Sequence, residues 1–255
     1  MVKMLEIAGR HRRFVASAAF GLFFFGAFHR FWSGSVMIRD NFNLFAPSRF
    51  QMARGLRDFT VYGWQPWQQL GLPFVADMQS AWFYPLNAIY LIFDFDLAYK
   101  LSVLIHFPIA AAAMFSLMRT MRFGAAASAI AGLGLSLSGY MIGQHSSPSL
   151  LVGMAWVPLV LDFYLRSISR GAAWSIASGL VLGVIVLGGD PQGAMIGALL
   201  MAVSCAYLVV RGKPAAIRGL LIAGACSVLA SAVQALPSYE LLDLSSRRGG
   251  IAYSE

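Results

Sequence analysis

Apolar runs of about twenty residues recur along this chain, near 14–37, 98–118, 123–143, 148–168, 172–189, 192–210 and 216–236. A helix rises about 1.5 Å per residue, so each run matches the roughly 30 Å of hydrocarbon in a bilayer. Of 255 residues, 58% are hydrophobic and 12% charged, where a soluble domain carries about 25% charged residues. The mean hydropathy is +0.68. These features define an all-α polytopic transmembrane helix bundle of about seven spans, read as one transmembrane domain over 1–255. A shorter run, 81–95, opens on aromatic residues and closes on acids, and reads as interfacial or re-entrant.

The net charge is +8, but the basic residues lie between apolar runs, so orientation in the bilayer explains them and nucleic acid is not a partner. With the N-terminus cytoplasmic and 81–95 not crossing, the cytoplasmic connectors hold Arg119, Arg122, Arg166, Arg170, Arg211, Lys213 and Arg218, and no acid. The other side receives Asp40, Asp58, Asp77, Asp94, Asp96, Asp190, Glu240 and Asp243. Basic residues precede the first run, but FHRFW follows it without a small-residue cleavage site, so it reads as a retained helix. Cys205 and Cys226 sit inside apolar runs without metal or redox spacing.

The first outer loop, 38–97, concentrates the polar chemistry. Pro47 and Ser48 open a helix in which Phe45, Met52, Leu56 and Phe59 recur at helical spacing, with Arg49, Arg54 and Arg57 elsewhere on its surface. Two placements stand: along the membrane surface, or packed against the spans. Residues 62–73, YGWQPWQQLGLP, read as loop. Trp64 and Trp67 there suit either a headgroup layer or stacking on a sugar ring.

Ionisable groups at span ends are functional candidates. Asp40 follows the first span, paired with Arg39 or placed to take a proton from a hydroxyl or hold a divalent cation, Mg or Mn. Asp77 is a second carboxylate in the same loop. His145 follows the third span, as a solvated loop residue or a substrate contact. In GGDPQG, Asp190 either caps the next helix or lines an outer cavity with Gln192. After the seventh run, PSYELLDLSSRRG returns Glu240, Ser245, Arg247 and Arg248 to that surface, where an arginine fork suits phosphate. Asp162 reads as pairing with Arg166 one turn away. His29 and His106 read as hydrogen-bonded packing residues. The run GAAASAIAGLGLSLSG permits close helix approach.

No P-loop, Rossmann fingerprint, HExxH or GxSxG is present. Taken together, WQPWQQLGLPFVADMQSAWFYPLN, LAYKLSVLIHFPIAAAAMFSLMR, LSGYMIGQHSSPSLLVGMAWVPLVL, GGDPQGA and LPSYELLDLSSR resemble the bacterial YfhO-type membrane proteins of the GT-C glycosyltransferase superfamily. The resemblance covers nearly all of the chain. It implies transfer of a sugar from a polyprenyl-phosphate donor to an envelope glycan, lipid or protein acceptor, at the outer face of the bacterial cytoplasmic membrane. It offers Asp40 as base or metal ligand, Asp77 and Gln79 as a second polar block, and Ser245 with Arg247 as an S-x-R phosphate contact. Such proteins are usually longer, so a C-terminal part is expected to be missing. A lipid or glycan flippase, or a non-catalytic subunit of an envelope-polysaccharide assembly, are the alternative readings. A transporter would favour mid-span charges and repeated broken helices, which are scarce here.

Overall fold

The structure is a computed structural model that describes residues 2–29, 41–68 and 70–245, with side chains from residue 15 onward. Helix α1 spans Val2–Ala27. A single π-turn, Asn41–Phe45, leads into α2, Ala46–Arg57, with Pro47 in its first turn. A two-residue antiparallel ribbon follows, β1 (Trp64–Gln65) on β2 (Leu72–Pro73). Short turns at Met78–Ser80, Pro85–Ala88 and Ile89–Ile92 complete the loop region. The bundle then runs through α3 (Phe95–Leu104), α4 (His106–Thr120), α5 (Ala125–Ser136), α6 (Pro148–Arg170), α7 (Ala172–Leu187), α8 (Pro191–Val210) and α9 (Ala215–Asp243).

Among the described residues, five helical segments are long and apolar enough to cross a membrane: Phe95–Thr120, Ala125–Ser146, Pro148–Arg170, Pro191–Val210 and Ala215–Asp243. That makes the chain an all-α, multi-pass membrane protein by the length and composition of its helices. Two of the seven expected spans fall short of that length among the described residues. The first is apolar only over Val15–Ala27, and its expected continuation to residue 37 lies outside the described residues. The other, Ala172–Leu187, has 16 residues, a rise of only about 24 Å. Residues 81–95 form turns rather than a crossing helix.

The loop region departs from the sequence reading in two places. Residues 64–73 are not all loop, because Trp64 pairs with Pro73 and Gln65 with Leu72. Helix α2 takes the second of its two placements, with one face packed into the core, and Arg49 leaves the surface on which the sequence reading put it with Arg54 and Arg57. Met52 and Ala53 join Phe74, Trp82, Tyr90 and Tyr99 in one buried cluster, and Arg49 is buried and donates to the Ser80 carbonyl. Arg57 donates to the carbonyls of Tyr90 (2.9 Å) and Phe93 (2.5 Å). Both arginines satisfy backbone acceptors that the non-helical loop leaves open.

Small residues let the helices approach closely. A Cβ added at Gly179 of α7 would meet the Ala223 carbonyl oxygen of α9 at 2.2 Å, and one at Gly132 of α5 would meet that of Ala111 in α4 at 2.6 Å. At the end carrying the 120–124 connector, Arg166 forms an ion pair with fully buried Asp162. Ser116 and Thr120 of α4 donate to the same carboxylate, and the guanidinium lies 4.8 Å from the Trp174 ring centroid. The pair expected from the sequence thus joins α4, α6 and α7, with each charge compensated inside the bundle.

The connectors alternate between the two ends of the bundle. Residues 41–94, 144–147 and 188–190 gather at one end, brought together by hydrogen bonds and a shared cavity. The basic connectors around 120–124, 171 and 211–214 gather at the other. There Arg166 reaches Ser116, and Tyr164 donates to the Ala216 carbonyl at 3.1 Å.

Candidate functional site

At the loop-bearing end, four stretches far apart in sequence enclose a cavity of about 420 Å³: Leu44–Phe45, Met78–Gln79, Ser147–Leu150 and Gly189–Gln192. Its walls follow from local chemistry. DPQG places a carboxylate before a proline that starts a helix, the arrangement of an N-cap. Asp190 Oδ1 accepts from the Gly193 N–H at 2.8 Å, and the side chain is nonetheless part of the cavity wall. The two roles weighed for Asp190 coexist.

Asp190 is 3% exposed. Room for its second oxygen exists because residue 153 has no side chain: a Cβ there would lie 1.9 Å from Oδ2. Burial pushes the Asp190 carboxyl above its ordinary range, and backbone N–H bonds from Gly193 and Gln192 pull the other way. Gly189, at φ +89°, turns the chain sharply towards the first loop. A Cβ there would meet the Met78 carbonyl at 2.8 Å and Ser149 Oγ at 2.9 Å.

The cavity also exposes two helix starts. Ser147 and Ser149 flank Pro148 at the head of α6, and Pro191 and Gln192 open α8. First-turn N–H groups lack intrahelical acceptors and carry the positive end of the helix dipole. Ser149 is 3% exposed, and its Oγ has no hydrogen-bond partner among the described residues. The wall therefore offers one buried carboxylate, the amides of Gln79 and Gln192, and an unengaged hydroxyl. That set can hold a ligand rich in hydroxyl groups.

Asp77 lies one turn away from this wall. It caps the Met78–Ser80 turn by accepting from the Gln79 N–H at 3.0 Å, which aligns Gln79. Burial raises its carboxyl, against the pull of the Gln79 N–H and the Arg49 charge. It is not part of the cavity lining, and no hydrogen bond or ion pair joins it to Asp190. His145 contributes through its backbone: its carbonyl accepts from Asn41 Nδ2 at 2.9 Å, while ring Nδ1 bonds the Ile142 carbonyl at 2.7 Å. Asn41 is fully buried and its Oδ1 accepts from Tyr99 at 2.8 Å, so it ties the start of the first loop to α3 and to the head of α6. Asp40 and Arg247 lie outside the described residues. Among the described residues no three His, Cys, Asp or Glu side chains gather as a metal site; Asp40, the residue offered as a cation ligand, is not among them.

The last helix approaches the site differently from the sequence reading. Residues 237–243 do not leave the bundle as an outer stretch; α9 continues through Pro237 to Asp243. Glu240 is exposed on it and Ser245 follows its end. The residues that reach the first loop are Gln234, whose Nε2 donates to the Val75 carbonyl at 2.8 Å, and Ser238, whose Oγ donates to the Ala76 carbonyl at 2.8 Å. They fix the strand of chain that carries Asp77 and Gln79. Pairing at such sequence distance leaves no local signal. Ser149 left one, a serine in the first turn after a helix-opening proline.

No protein-family model, curated protein or solved structure matches this chain.

Proposed function

We propose that this chain is a membrane glycosyltransferase of the GT-C type, acting on a polyprenyl-phosphate sugar at the outer face of a bacterial cytoplasmic membrane. The single observation that supports the reading is the cavity in which Asp190, Gln79, Gln192 and Ser149 converge at one end of an apolar bundle. A lipid-linked donor reaches such a place laterally, its chain in hydrocarbon and its sugar among polar groups. The basic connectors at the opposite end argue for placing that end in the cytoplasm. Buried Arg49, held at the Ser80 carbonyl beside Gln79, supplies positive charge near the departing phosphate.

In this reading the acceptor hydroxyl oxygen bonds to the anomeric carbon as the carbon–oxygen bond to phosphate breaks. The electron pair leaves with polyprenyl phosphate, and the hydroxyl proton passes to a carboxylate. The resemblance assigns that role to Asp40, which immediately precedes Asn41 in the chain. Asp190 and the two glutamines bind sugar hydroxyls. A divalent cation, if bound, would add charge neutralisation at the phosphate.

The test is transfer from a radiolabelled polyprenyl-phosphate sugar in membranes holding equal amounts of each protein. Asp40→Asn is expected to lower kcat by about 10²- to 10⁴-fold. Asp190→Asn keeps a cap oxygen and is expected mainly to raise KM. Unchanged transfer in both variants, or none in the parent chain, sinks the reading.

A further inference from the structure

We propose a second ligand site, independent of the transfer reaction: the cleft between α2 and the β1–β2 ribbon binds a neutral carbohydrate. The cleft has a volume of about 480 Å³, and its wall includes Phe50, Gln51, Arg54, Tyr62, Trp64 and Trp67. Trp64 is 55% exposed, Trp67 79% and Phe50 50%. Single exposed aromatics are ordinary, whereas several around one hollow mark a binding surface. Their rings carry a negative face that suits the C–H face of a sugar.

Gln51 decides the ligand chemistry. Its side chain is buried and its Nε2 donates to the Trp64 carbonyl at 2.9 Å. That bond fixes which end of the amide is nitrogen. Oε1 is therefore an acceptor, and it has no partner among the described residues. A buried acceptor calls for a donor. A sugar hydroxyl supplies one, and a lipid phosphate does not. Arg54, exposed at the rim, donates to the oxygens of the same ring.

The walls are set before any ligand arrives. Ser48 donates to Gln65 (3.4 Å), Gln65 donates to Gln68, and Gln68 donates to the carbonyls of Asn43 and Leu44 (3.0 and 2.7 Å). The Trp64 indole lies against Gly71, where φ is +103° and a Cβ would fall 2.5 Å from the ring. Such fixing reduces the entropy lost on binding.

The experiment uses the full chain in phosphatidylcholine nanodiscs, titrated with maltotriose, cellotriose and N,N′,N″-triacetylchitotriose and read by saturation-transfer NMR. Saturable binding of at least one trisaccharide is expected, weakened about tenfold by Trp67→Ala and by Gln51→Leu, with melting temperatures near that of the parent. Trp67 is largely exposed, so its variant decides the matter if Gln51→Leu does not fold. No saturable binding of any of the three, or binding unaltered by Trp67→Ala, overturns the proposal. So does saturable binding of dihexanoyl-phosphatidylglycerol that the trisaccharides fail to displace, which would make the cleft a lipid headgroup contact.

Discussion

Asp190 is held between opposing influences, burial against its charge and backbone N–H groups for it, and burial prevails. The folded protein therefore keeps the proton to higher pH than the unfolded chain, whose carboxyl titrates near 3.8. Folding takes up a proton between these two values, so this group's contribution to stability is lost as pH rises through that window. Asp190→Asn retains an oxygen for the Gly193 N–H but carries no charge. Its melting temperature relative to the parent is expected to rise as pH climbs above 3.8 and then level off; a difference independent of pH would contradict the burial argument. Gly153→Ala tests the same carboxylate from the neighbouring helix. The added methyl falls 1.9 Å from Asp190 Oδ2, an overpacking expected to lower stability by about 1–3 kcal/mol, measured by thermal unfolding in detergent. Parent-like stability would mean that the α6 to α8 contact is looser than it stands. The capping role of Asp190 was legible in DPQG, because a cap is a local event. The buried position of Arg49 was not, since helical spacing gives the faces of α2 but not which face the core covers.

Among the elements, α9 has a task beyond crossing the bundle. Gln234 and Ser238 tie its last turns to the carbonyls of Val75 and Ala76, although a proline stands between them. Prolines are tolerated in apolar helices where neighbouring groups hold the backbone in place, and here the two side chains also bond each other across Pro237, Gln234 Nε2 donating to Ser238 Oγ at 3.1 Å. Ser238→Ala removes the Ala76 bond and is expected to cost about 1 kcal/mol locally. Hydrogen exchange would then speed up in residues 74–81 while α6 stays protected; uniform exchange across both would contradict this tie. The sequence reading ended the apolar run near 236, where the polar stretch PSYELLDLSSRRG begins. The partners that carry it onward lie some 160 residues earlier, beyond the reach of any local pattern. Pairing of Asp162 with Arg166, one turn apart, was legible for the opposite reason.

For the whole molecule, five of the seven apolar runs became helices of crossing length among the described residues, because length and hydropathy are enough to find them; α7 is shorter than a full crossing, and the end of the first run lies outside the described residues. Gathering of the connectors into two ends is a property of the packed bundle, and it puts Arg119, Arg122, Arg166, Arg170, Arg211 and Lys213 at the end remote from the cavity. Topology reporters inserted at 121–124 and 211–214 are expected to report cytoplasm, and those at 69–71 and 188–189 the outside; the reverse pattern would remove the cavity from the side on which the proposed transfer takes place. The central claim, that four separated stretches form one site for that donor, is tested most directly by photo-crosslinking. A diazirine on the sugar of a polyprenyl-phosphate donor should leave adducts on peptides containing Leu44–Phe45, Met78–Gln79, Ser147–Leu150 and Gly189–Gln192, and excess unlabelled donor should abolish them. Adducts confined to the outer surfaces of α8 and α9, with none at these four stretches, would contradict it.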